Sequence, residues 1–151
     1  MALTVSRSAD IDASLDAVRS VLRDLATYPD WMPIVSSVEA DDDDHSFVEL
    51  RVPIGPFARS KRLRMKRTID ESSVVAFARY EADGRSHANW ELRLELNEVD
   101  SGTAVHALLR YDGKMWTPGP VEEALDRGLD AGILQLQEFV SKGSDTNPST
   151  S

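Results

Sequence analysis

The chain of 151 residues contains no cysteine, which excludes disulfides, thiolate metal sites and a cysteine nucleophile. It also lacks any apolar run near the roughly 20 residues needed to span a bilayer, and residues 1–10 have no apolar core of the kind a secretory signal needs. A soluble, cytoplasmic protein is the expectation. Histidine is scarce. His45, His87 and His106 are the three; no two stand at i, i+4 helical spacing or cluster with carboxylates, so no metal site is expected and each is read as solvated surface. Gly-x-Ser-x-Gly, a phosphate-cradling glycine loop and a dinucleotide fingerprint are all missing, so standard nucleophilic and nucleotide chemistry have no foothold and no cofactor is expected. Positive charge is short as well: 17 Lys and Arg against 26 Asp and Glu give a net charge of -9. Such a surface repels nucleic acid and anionic membrane, and neither nucleic-acid binding nor stable membrane insertion is expected.

What is present is ordinary for a globular protein, 41% hydrophobic and 28% charged residues, and the length suits one core. A single domain over residues 1–142 is expected, with a disordered tail over 143–151, where small and polar residues cannot bury enough apolar area to order themselves. Leu3, Val5, Ala9 and Ile11 alternate with polar residues as a half-buried strand requires. Ser14 is placed to cap a short helix carrying Val18, Val21, Leu22 and Leu25, and Pro29 and Pro33 then permit no more than a single helical turn. Six further strands are predicted near 35–40, 45–52, 58–69, 73–82, 85–98 and 103–113, separated by turn-forming residues. Residues 118–141 are different: Pro118 and Pro120 suit a helix start, and Val121, Leu125, Leu129, Gly132, Leu136 and Phe139 form one apolar stripe.

Requiring apolar residues of neighbouring strands to share a face sets the register of the last hairpin. Leu96 faces Val105, Leu94 faces Ala107, Leu92 faces Leu109 and Trp90 faces Tyr111, while Glu95 meets His106 and Glu91 meets Arg110 on the wet side. Asp83-Gly84 suits a two-residue type I′ turn, which places Phe77 opposite Trp90 and Val75 opposite Leu92, an inward aromatic row of Phe77, Trp90 and Tyr111 with Arg79 beside it. Keeping Leu63, Met65 and Ile69 inward next to that row requires a bulge or an odd loop near 70–72. Gly128 and Gly132 on the helix stripe each cost about 1 kcal/mol of helix stability relative to alanine. Either they let the sheet backbone approach closely, or they leave room for a guest.

Arg59, Lys61, Arg62, Arg64, Lys66 and Arg67 form one dense basic run. It is read either as a solvated strand face balanced by the acidic turn 41–44 elsewhere on the surface, or as an attractor for an anionic head group or phosphate.

The order of elements, Ile11-Asp12-Ala13-Ser14 entering the first helix, and Leu25, Tyr28-Pro29-Asp30-Trp31-Met32-Pro33 and Val38 at their spacings resemble the START-like (SRPBCC) superfamily. The likeness is to its bacterial polyketide cyclase/dehydrase and lipid-transport branch, and it spans residues 3–142. It implies an α+β helix-grip fold, a seven-stranded bent antiparallel sheet wrapped around a long C-terminal helix with two short helices after strand one. The cavity of such a fold lies between sheet and last helix, entered near 54–57, Asp83-Gly84 and the start of the long helix. Trp31 is read as core. Ligand-binding residues expected from register and resemblance together are Phe57, Leu63, Met65, Phe77, Arg79, Trp90, Leu92, Tyr111, Trp116, Leu125, Gly128, Leu129 and Gly132.

Three functions fit these expectations. The first is carriage of a lipid-like or aromatic polyketide-like molecule by a monomer or homodimer. The second is a cyclase or dehydrase in which Arg79 and Tyr111 polarise a poly-β-ketone, against which stands a rim arginine merely stacked on an aromatic ring. The third is an interaction module in which the basic run holds an anionic partner. No catalytic residue is assigned.

Overall fold

A computed structural model describes residues 2–113 and 118–145. Strand β1 (Ala2–Ile11) leads to α1 (Leu15–Leu22), whose cap is Ser14: its hydroxyl oxygen accepts the Ala17 N–H at 3.1 Å. Asp24 caps in the same way a short 3-10 helix, Leu25–Asp30, which tolerates Pro29 because it is only six residues long. Then follow β2 (Val35–Ala40), β3 (His45–Ile54), β4 (Phe57–Asp70), β5 (Val74–Arg79), β6 (Asn89–Val99), β7 (Gly102–Asp112) and α2 (Pro118–Asp145). The seven strands form one antiparallel sheet in the order β1-β7-β6-β5-β4-β3-β2. Although β1 and β3 stand near opposite sides of that sheet, both pack against α2, so the sheet is bent around the helix. Arg7 of β1 ties the grip by ion pairs to Asp126 (2.7 Å) and Asp130 (3.3 Å) of α2. The helix continues through residues 143–145, which the sequence assigned to a disordered tail; the rest of that tail, 146–151, lies outside the described residues.

The β6–β7 register is the expected one at every pair from Glu91–Arg110 to Leu96–Val105, with Trp90 opposite Tyr111. The β5–β6 register is not. Phe77 faces Leu92 and Val75 faces Leu94, two residues from expectation, and Asp83-Gly84 lies inside a loop of residues 80–88 instead of a two-residue turn. Gly84 does take the left-handed conformation (φ 73°). Asp83, however, spends its carboxylate on the Arg85 N–H (3.0 Å) and His87 Nε2 (2.9 Å), so the loop is organised by a side chain and not by ladder bonds. Because the shift is even, every side chain keeps its face.

A bulge at Thr68 is the irregularity that β4 and β5 required, but its effect is opposite to the one expected. Ile69 pairs with Ala76, away from the Phe77 row, and Asp70 pairs with Val75 instead. There Asp70 meets Arg19 of α1, Arg23 at its C-terminal cap and Arg67 of β4. The Arg23 guanidinium, bonded to it, holds this carboxyl below its usual 3.8. A depressed folded-state value means that the stabilisation is complete above the unfolded value and disappears as pH falls through the folded one. Asp70→Asn is therefore expected to cost about 1 kcal/mol at pH 7 and to flatten the loss of stability below about pH 4. Urea denaturation at pH 7 and pH 3 measures both, and equal losses at the two pH values would refute the assignment.

Of the two explanations for the α2 glycines, close packing holds, though not against the sheet. A Cβ on Gly128 would lie 2.5 Å from Ile34 Cγ2, and one on Gly132 2.6 Å from Met32 Sδ. The helix is pressed onto the segment that follows the 3-10 helix. Trp31, fully buried and donating its indole N–H to Thr27 Oγ1 (3.2 Å), is core as expected.

Candidate ligand-binding site

Between sheet, 3-10 helix and α2 lies an apolar cavity of about 50 Å³. Its floor comes from alternate residues of the strands, Leu63, Met65, Phe77, Trp90 and Leu92 among them, and Leu129 of α2 closes one side. Its roof is Tyr28, Met32 and Ile34. Tyr28 donates its hydroxyl to the Leu22 carbonyl at 2.7 Å, and burial pushes its ionisation well above the ordinary phenol value, so it serves as neutral wall.

Trp90 separates this cavity from a second chamber of about 130 Å³, also lined by Lys61, Arg79, His87 and Tyr111. The two rings of Trp90 and Tyr111 sit 4.6 Å apart at the partition. The Arg79 side chain is only 5% exposed. Its Nε donates to Glu81 Oε2 at 2.6 Å and its Nη1 to the Ala88 carbonyl at 3.3 Å, while Nη2 has no hydrogen-bond partner among the described residues. Since no buried side-chain nitrogen is left without a partner among the described residues, Nη2 keeps an edge open to solvent from which it can donate to an acceptor oxygen. Among the described residues Arg79 stacks on no ring and pairs instead with Glu81.

Of the expected ligand contacts, Leu63, Met65, Phe77, Trp90, Leu92 and Leu129 line the cavity, and Arg79 and Tyr111 line the chamber with Trp90. Phe77 reaches the cavity without standing opposite Trp90; its ring meets Tyr28 edge-on at 6.0 Å. Four residues fall elsewhere. Phe57 is 73% exposed at the β3–β4 tip, Leu125 is buried without reaching the cavity wall, and Gly128 and Gly132 are filled against Ile34 and Met32. Trp116 lies outside the described residues.

His87, expected on the outer face, is in the chamber wall, held there by Asp83. His45 is half-buried, bonded to Asp42 at 2.8 Å and tilted on Tyr80, and His106 bonds Ser8 at 2.6 Å opposite Glu95. Lys61 was legible as an inward residue, since it shares parity with Leu63 and Met65 on β4; nothing in the local pattern pointed to His87, Glu81 or the roof. Within the basic run, Arg62 and Arg64 lie on one face of β4 and Arg67 on the face of Lys61. Arg62, Arg64 and Arg67 pair with Glu39 (3.3 Å), Asp41 (3.0 Å) and Asp44 (3.6 Å). The acidic turn is thus not elsewhere on the surface but directly against the run, and with Glu39 it takes up about half of the charge that an interaction module would use. Among the described residues no three His, Cys, Asp or Glu side chains are grouped to hold a metal ion, and no helix is long and apolar enough to cross a membrane.

The family model described as "Polyketide cyclase / dehydrase and lipid transport" matches residues 2–138. Among solved structures, a START superfamily protein from Mycobacterium smegmatis superposes with a TM-score of 0.71 at 19% identity, covering 92% of this chain and 97% of that one. The Zhui aromatase/cyclase from Streptomyces sp. R1128 gives 0.71 at 15% identity, covering 94% and 95%. A protein from Deinococcus radiodurans gives 0.67 at 20% identity, covering 93% and 98%. At these identities the likeness is one of fold, the helix-grip arrangement. No curated protein matches the chain.

Proposed function

Because the chain belongs to the polyketide cyclase/dehydrase and lipid transport family, we propose that residues 1–142 act as one domain that binds and carries an apolar small molecule, lipid-like or polyketide-like, with an oxygen-bearing end. The observation that carries this reading is Arg79, with Nη2 unpartnered among the described residues, in the wall of a chamber that shares Trp90 with an apolar cavity. Burial of the guest's apolar body supplies the affinity, at about 25 cal/mol per Å², and the guanidinium orients its polar end. Sites for guests of this size enclose about 300–1,000 Å³, more than the cavity of about 50 Å³ offers as it stands. Binding therefore displaces flexible walls. Met32 and Met65 have unbranched side chains that repack readily, and the adjoining loop 80–88 lies outside the sheet ladders. Native mass spectrometry of freshly purified protein, and displacement of a hydrophobic fluorophore by a long-chain fatty acid, test the reading. Bound apolar mass or one displaceable fluorophore per chain is expected; absence of both overturns it.

A second reading, an enzyme of the cyclase or dehydrase type, is favoured by one specific observation. Arg79, Tyr111 and the Asp83-oriented His87 surround the same chamber, a donor, a phenol and an imidazole of the kind that polarises carbonyls and moves protons. Turnover of a poly-β-ketone, lost in Tyr111→Phe, would decide for it over carriage.

A further inference from the structure

The β3–β4 hairpin reaches beyond the rest of the sheet. The β2–β3 ladder starts at Val35–Leu50, and β5 leaves β4 at Met65–Arg79. Residues 52–54 and 57–59 therefore pair only with each other, as a two-stranded ribbon. A ribbon of this kind is at best marginally stable alone, yet its tip carries Pro53, Ile54, Gly55, Pro56 and Phe57, with Phe57 73% exposed. The charge around this tip is equally distinctive. From Arg51 to Thr68 the chain has seven Lys and Arg and no Asp or Glu, within a protein of net charge -9. Arg62, Arg64 and Arg67 are neutralised by the acidic turn and Glu39, but Arg51 and Arg59, both exposed on opposite faces of the ribbon, make no ion pair among the described residues.

Alternation along β4 joins the tip to the site. Phe57, Arg59, Lys61, Leu63 and Met65 occupy one face in succession: an exposed aromatic ring, a cation, a cation in the chamber wall, then the floor of the apolar cavity. Phe57 lies four residues from Lys61, about 13 Å at strand rise, on the same face of β4.

We propose that this hairpin tip is a peripheral docking element for an anionic lipid surface, with Phe57 entering the acyl boundary and Arg51 and Arg59 meeting the head groups, while Ile54 packs back against the core. An aromatic ring flanked by unpaired cations is the combination that holds a protein at such an interface, and the cations bind it only while the membrane is anionic and the salt is low. Few residues form the tip, far fewer than the 20–30 a side that a stable protein interface uses. The acidic remainder of the surface is repelled by the same lipids, which orients the hairpin toward the membrane. The benefit of docking, access of a lipid-like guest to the chamber, rests on the carrier reading; the docking itself does not.

Flotation with phosphatidylcholine vesicles, with and without phosphatidylserine, tests this on the full chain. The wild type is expected to float with the anionic vesicles alone and to be released by 0.5 M salt. Phe57→Asp and the double variant Arg51→Glu/Arg59→Glu are each expected to lower the bound fraction about tenfold or more, with circular dichroism and fluorophore binding unchanged. Failure of the wild type to float, or variants that float like it, overturns the proposal. So does a dimer that Phe57→Asp dissociates, without vesicle binding, since a second copy would then be the occupant. If vesicles bind but the fluorophore does not, the carrier reading fails and docking stands.

Discussion

Arg79→Met is expected to weaken binding of an oxygen-bearing apolar guest by about 100-fold, the loss that follows from removing a charge-assisted hydrogen bond. The same substitution leaves Glu81, which is 16% exposed and bonded to Arg79 at 2.6 Å, without its counter-charge. Breaking a mostly buried pair from one side costs about 3 kcal/mol, at the lower end of the usual range because the chamber admits water. Affinity and stability can be separated by the double variant Arg79→Met/Glu81→Met, which removes both charges. It is expected to regain most of the stability in urea denaturation while binding as weakly as the single variant in fluorophore displacement by a fatty acid. A single variant that binds like the wild type would show that Arg79 is a structural partner of Glu81 and nothing more, and the orienting role assigned to it would be lost.

Gly102→Ala is expected to be the most destabilising of the glycine substitutions, by about 3 kcal/mol or more, lowering Tm by roughly 10 °C. Gly102 opens β7 at φ 149°, where L side chains are strained, and an added Cβ would sit 2.1 Å from the Ile11 carbonyl oxygen and 2.9 Å from the Ala13 nitrogen. Both obstacles are backbone. They are held by the β1–β7 ladder that ends at Ile11–Thr103 and by the buried Thr103 hydroxyl, which donates to the Ala13 carbonyl at 2.8 Å. Gly132→Ala is the contrasting case, since its Cβ meets the flexible end of Met32 and alanine gains about 1 kcal/mol of helix propensity. A thermal melt of the two variants side by side separates them; equal Tm values would mean that the start of β7 yields more easily than its contacts indicate.

The difference between those two glycines also marks what was readable in advance. Gly128 and Gly132 stood out against a helical stripe, but whether the space beside them was full or open depended on Met32 and Ile34, which lie in a stretch with no periodicity to orient it. The β6–β7 register was legible because two long alternating strands admit only one alignment that buries both apolar sets. In the neighbouring hairpin the local signal misled. Asp83-Gly84 has the composition of a tight turn, yet the Asp83 carboxylate found better partners in Arg85 and His87, and the strands separated into a nine-residue connection. The same loop carries His87 and Glu81 into the site, which is why both were missed.

Strand alternation, helix caps and the proline-bounded turn by themselves determined the order of elements, the α+β class and the side of the sheet that strand residues face, except beyond the Thr68 bulge, where Ile69 changes sides. These are local or pairwise properties, and a shift of two residues does not disturb them. Only the tertiary structure decided how much space the cavity keeps, that Arg79 meets a carboxylate and not a ring, that the acidic turn neutralises part of the basic run, and that Phe57 stays outside. Volume left in a packed interior is a small difference between large filled volumes, and the partner of a buried charge is whichever opposite charge the chain brings nearest. Both depend on every contact at once, and no stretch of sequence contains them.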